Sequence, residues 1–276
     1  MNHVKAKSPI AFLLLSTLVS LSSSPSLASE WQEHKSDHFI VSYHPDVPVN
    51  YVKDFTRKCE KYYDKITYKL GFNRFDFWLW DDRAKIIVYK NAKEYAQGIN
   101  APAWTGAAVH AKSKKIVTFY YPPGSSEATA SGLPTKEVFF NSVLPHEMAH
   151  IIFREFIGFD TPIPLWLDEG VACSNEKDAA KKFGYYAKEL FKQGKAVTVS
   201  QLNRSTYQNI PPDVFYPFAA TLTIFLLEEL GHRRDFVEFC RELRDGTEFS
   251  EALRKVYRVE SVEELDKKFA TFLSQN

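Results

Sequence analysis

Cysteine is scarce in this chain of 276 residues, which holds three: Cys59, Cys173 and Cys240. Three thiols cannot build a disulfide framework or a thiolate zinc cluster. Neither sign of charge dominates, with 35 Lys and Arg against 34 Asp and Glu and a formal charge of +1. Such a balance lacks the basic footprint of a nucleic-acid binder. There is no internal repeat, no heptad array and, after the first 28 residues, no low-complexity segment or apolar run long enough to span a bilayer. What the chain does have is an ordinary globular balance of 45% hydrophobic and 25% charged residues. That excludes a mainly disordered, collagen-like or coiled-coil protein. Aromatic residues reach 15%, so large side chains for a core or a pocket are plentiful.

The N-terminus reads as an export signal. Lys5 and Lys7 make a basic start, Ile10 to Leu21 is an apolar run, and Ser26-Leu27-Ala28 offers a cleavage site after Ala28. The alternative, a membrane anchor, fits less well, because the run is about a dozen residues and a span needs roughly 20. No cysteine directly follows the run, so a lipid anchor is not expected. The expectation is therefore an exported protein, periplasmic or secreted, with no stable membrane anchor after cleavage. Removal of residues 1–28 takes two lysines and no acids, and leaves 248 residues with a formal charge near −1. An exported chain can meet an oxidising space, but three cysteines form one bridge at most.

Beyond the leader the fold class reads as α+β. Phe39-Ile40-Val41-Ser42-Tyr43 has strand character and ends in a turn at His44-Pro45. Val49 to Leu70 carries Val52, Phe55, Cys59, Tyr62, Tyr63 and Ile66 at helical spacing, stopped by Gly71. Lys85 to Tyr89 is a short apolar strand, and Ala92 to Gln97 a short helix ended by Gly98. Gly106–His110 and Ile116–Tyr121 pair as a hairpin around Lys112 to Lys115, and Ser125 to Gly132 is a loop. From about Thr135 the pattern is almost wholly helical. Phe215 to Leu230 is the most apolar helix, and Ser261-Val262-Glu263-Glu264 is a capping box opening the last one. A single domain over 29–276 is expected, with an α/β part (29–132), a helical part (133–276) and a cleft between them.

The chemistry concentrates in His146-Glu147-Met148-Ala149-His150. On a helix, residues i and i+4 share a face. Two imidazoles so placed can hold one cation through a ring nitrogen each. Glu147 projects about 100° round the helix from His146, so it can sit beside the cation without ligating it. A carboxylate there can take a proton from water that the cation has acidified. Zinc suits these ligands, although residue type alone does not fix the metal. The flanking Ile151, Ile152 and Phe153 make the helix apolar and buried, and polar groups on a buried helix need partners.

Eighteen residues, 151 to 168, separate His150 from Glu169, which lies within Trp166-Leu167-Asp168-Glu169-Gly170. The pair of motifs, His-Glu-x-x-His and Trp-Leu-x-Glu-Gly at this spacing, resembles the gluzincin metallopeptidases. These include the aminopeptidase N type and its smaller exported relatives, the peptidase MA-like proteins. The likeness is close over residues 133 to 176 and looser elsewhere. It implies a zincin-like fold, a zinc ion on His146, His150 and Glu169, Glu147 as general base, and hydrolysis of a peptide or protein substrate. It also implies a Tyr near the start of a later helix that steadies the oxyanion, for which Tyr216 is the match, and an edge hairpin at Gly106 to Tyr121 along which a peptide could add as a strand. His232, after Gly231, is a rival donor.

The chain departs from the aminopeptidase pattern in having no Gly-x-Met-Glu-Asn loop before His146. Met148 is the only methionine after the leader. Pro145 requires the motif helix to start or kink near it. Cys173, four residues past Glu169, is either core or a neighbour of the centre, and Asp168 either exposed or behind the ligands. Two rival functions use the same residues: a zinc-binding interaction module without turnover, and a metal hydrolase acting on a non-peptide amide.

Overall fold

The computed structural model describes residues 31–99, 106–122 and 133–275. The expected leader, 1–28, and the loop Ser125 to Gly132 lie outside the described residues. Five strands form one mixed sheet in the order β1-β2-β3-β5-β4. They are β1 (Gln32–Lys35), β2 (Phe39–Tyr43), β3 (Ala84–Tyr89), β4 (Ala107–His110) and β5 (Lys115–Phe119). The inner strands β2, β3 and β5 run parallel, and β1 and β4 close the edges antiparallel. The period-2 pattern of β2 is visible in its burial: Phe39, Val41 and Tyr43 are buried, while Ile40 and Ser42 are half-buried. The expected hairpin forms, with Val109 opposite Ile116, and its first strand is a sheet edge.

Helix α1 (Val49–Leu70) has the expected bounds and lays Val52, Phe55, Cys59, Tyr63 and Ile66 into the core. Gly71 ends it at φ 80°, a left-handed conformation that costs glycine little. Helix α2 (Ala92–Ile99) runs through Gly98 rather than stopping at it. The helical part follows as α3 (Lys136–Val138), α4 (Leu144–Ile157), α5 (Leu165–Ser174), α6 (Ala179–Lys192), α7 (Val199–Asn203), α8 (Pro212–Ile224), α9 (Arg233–Arg244), α10 (Phe249–Tyr257) and α11 (Val262–Ser274). The protein is thus a mixed α+β structure. The capping box of α11 is only half formed. Ser261 Oγ accepts from the Glu264 N–H at 3.2 Å, but the Glu264 carboxylate reaches one residue further back, to the Glu260 N–H at 2.8 Å. Among the described residues no single helix is long and apolar enough to cross a membrane.

Helix α5 packs tightly on α8 because Gly170 has no side chain. A Cβ there would lie 2.4 Å from the Ala219 carbonyl oxygen and 2.3 Å from Thr223 Oγ1. Backbone cannot yield as a flexible side chain can, so Gly170→Ala is expected to cost about 1–3 kcal/mol by overpacking. Urea unfolding reads this as a lower midpoint, and an unchanged midpoint would mean that the two helices part freely.

Candidate metal centre

Helix α4 is apolar on nearly every side and buried almost throughout, from Leu144 to Phe153. Its entry is shaped by Pro145. A proline cannot donate to the carbonyl four residues back, here Asn141. The turn before α4 widens accordingly into a π-turn over Phe139–Val143. The freed Asn141 carbonyl accepts the Lys177 N–H at 2.8 Å. The entry of α4 is thereby tied to the chain just beyond α5. The Tyr62 hydroxyl adds a second tie at 2.5 Å, to the Phe140 carbonyl.

Within this frame His146 and His150 of α4 and Glu169 of α5 converge. The two Nε2 atoms are 3.2 Å apart, and Glu169 Oε2 lies 3.7 Å from that of His146 and 3.9 Å from that of His150. A triangle with these sides is inscribed in a circle of radius about 2.1 Å, the length of a zinc bond to nitrogen or oxygen. Glu169 is 1% exposed, yet its Oε2 has no hydrogen-bond partner, and neither has Oε2 of the neighbouring buried Glu147. Buried carboxylate oxygens without donors are costly, and a cation among them would remove the cost. The donor set and the two orphaned oxygens therefore fit a metal ion.

A second layer orients these ligands. Asp168 Oδ1 sits 3.1 Å from His150 Nδ1, and its other oxygen accepts from Arg154 Nε at 2.9 Å and Nη2 at 2.7 Å. Arg154 also donates to the Thr161 carbonyl at 3.0 Å. Behind His146, Glu176 Oε1 is 3.4 Å and Cys173 Sγ 3.8 Å from Nδ1, and Lys182 pairs with Glu176 at 3.2 Å. A carboxylate at each Nδ1 favours the tautomer that leaves Nε2 free to ligate. The Tyr207 hydroxyl donates to Glu169 Oε1 at 2.8 Å.

Titration follows from these contacts. Burial alone would depress His150, but Asp168 outweighs it and holds the imidazole at about 9. Burial likewise works against a proton on His146, and the Cys173 and Glu176 contacts more than offset it, so this group too is raised. Burial pushes the Cys173 thiol up to about 12 and raises Glu147 above the usual carboxylate range. Tyr216 is buried on α8, and burial followed by the charge of Glu169 raises its phenol, which stays a hydrogen-bond donor.

Each residue singled out in the sequence now has a place. His146, Glu147, His150 and Glu169 come together, and Tyr216 lies close enough to feel Glu169 and Glu147. Asp168 stands behind His150. Cys173 is buried but faces the centre, and with His146 and Glu176 it makes a second grouping able to hold a metal. That grouping is the poorer fit, since Glu176 already has Lys182 as counter-charge. His232 is exposed and caps the start of α9 rather than trailing a helix end. Cys59, Cys173 and Cys240 are all free thiols. Arg154, Glu176 and Tyr207 escaped the sequence reading. Arg154 is four residues past His150, so helical spacing could have suggested it, whereas Glu176 lies past the end of α5, where that spacing does not apply. Nothing in the local sequence marks Tyr207. The chain matches no protein-family model and no curated protein.

Proposed function

We propose that the chain is an exported zinc-dependent metallopeptidase with a zincin-like fold, acting on peptide or protein substrates. The observation that carries this reading is the triangle of His146, His150 and Glu169, with the buried Glu147, whose Oε2 has no donor, close by. Two imidazoles and one carboxylate are a ligand set suited to zinc, and three protein donors leave the open position that catalytic sites keep. Zinc bound there would supply Lewis acidity and make a proton on water easier to remove at neutral pH. Glu147 takes that proton as the water oxygen bonds to the scissile carbonyl carbon, and delivers it to the amine nitrogen as the C–N bond breaks. Tyr216 supports the negative charge that develops on the scissile carbonyl oxygen. The edge strand β4 offers an extended peptide backbone hydrogen bonds that are indifferent to side chain, so its sequence demands are broad.

The test is metal analysis of the exported chain, followed by cleavage of a broad peptide library with and without a chelator. About one zinc per chain is expected, with cleavage lost on chelation and restored by zinc. A zinc-loaded sample that cleaves no peptide would favour a metal-stabilised interaction module instead.

A further inference from the structure

We infer that Tyr207 is a positioning residue for the metal centre, holding Glu169 in its ligating orientation and governing how readily the metal leaves. The inference rests on the metal reading above. Glu169 has two carboxylate oxygens with different surroundings. Oε1 accepts from the Tyr207 hydroxyl at 2.8 Å, while Oε2 faces the two imidazoles without a donor of its own. The last torsion of a glutamate is broad and roughly two-fold, so packing alone defines it poorly. One donor on one oxygen sets which oxygen turns to the metal.

Tyr207 differs from the other orienting groups in where it stands. Asp168 belongs to a ligand-bearing helix, and Glu176 follows that helix directly. Tyr207 lies on the connection between α7 and α8 and is 43% exposed. That connection is tied by its own polar groups: the Thr206 N–H to Asn209 Oδ1 at 2.8 Å, Asn209 Nδ2 to the Arg204 carbonyl at 3.1 Å, and Ser205 Oγ to the Leu202 carbonyl at 2.6 Å. The phenol is therefore held in place from the solvent side, where a chelator or water can compete with it.

The experiment measures zinc affinity and zinc release to a chelator for the full exported chain and for Tyr207→Phe, together with the melting temperature of each metal-free form. Loss of a group that orients a ligand weakens metal binding by about 10–100-fold. Tyr207→Phe is expected to show that loss and faster release, with the metal-free melting temperature lowered by a few degrees because Glu169 Oε1 loses its donor while the ring remains. Tyr185→Phe, on the exposed face of α6, serves as the control and keeps wild-type zinc affinity. A Tyr207→Phe dissociation constant within twofold of wild type overturns the inference, as does a lowered metal-free melting temperature with zinc affinity intact. A wild-type chain that binds no zinc overturns the metal reading itself, and the inference with it.

Discussion

Glu147→Gln is expected to bind zinc as the wild type does and to lose about 10²–10⁴-fold in kcat/KM, the usual worth of a positioned general base. The substitution changes one atom and no shape. Glu147 is not one of the three converging ligands, so the metal should remain. An amide cannot take a proton from water, so the chemical step should fail. A second consequence follows from burial. The Glu147 carboxylate is buried, with Oε2 lacking a donor, and burial raises its pKa. A neutral amide avoids that desolvation, so the metal-free variant should melt no lower than wild type. Kinetics on a responsive peptide, zinc content and melting curves together separate loss of chemistry from loss of fold. Cleavage at the wild-type rate would remove Glu147 from the proposed mechanism.

Much of the centre could be read from the sequence because it lies on short helical spacings. His146 and His150 are one turn apart, so their convergence needs only the helix itself. The strands β2 and β3, the bounds of α1 and the β4–β5 hairpin followed from alternation, 3.6-residue periodicity and turn residues in the same way. The convergence of α5 on α4 was legible only through a resemblance, since no local rule says where a second helix docks. Two contacts accompany it: the Asn141 carbonyl accepts from Lys177 just beyond α5, and α5 approaches α8 closely over Gly170. Tyr207 was illegible for a related reason. It reaches Glu169 from 38 residues away on an irregular connection, where periodicity carries no information. Pro145 admits either a start or a kink, and the π-turn reconciles the two by widening the helix instead of breaking it.

Removing the metal is expected to lower the melting temperature, and by more at higher pH. A ligand that binds only the folded state stabilises it by about 4 kcal/mol when present at a thousand times its dissociation constant. For a domain of this size each kcal/mol is worth about 2–4 °C, so chelation should shift melting by roughly 8–16 °C. The pH dependence comes from His150. In the metal-free chain Asp168 raises this imidazole to about 9, against an ordinary value near 6.5. A base raised on folding contributes stability that is fully present below the unfolded pKa and is lost as pH climbs through the folded one. The metal-free chain therefore loses the His150 contribution between about pH 6.5 and 9. Metal binding requires Nε2 of each imidazole free of its proton, so affinity rises over that range. The two trends add: the gap between loaded and chelated melting curves should be small at pH 6 and widest near pH 8.5. Melting at pH 6, 7 and 8.5 with and without chelator measures it. A gap that narrows with rising pH would mean that His150 is not deprotonated by the metal, and chelation without effect at any pH would remove the metal from the fold altogether.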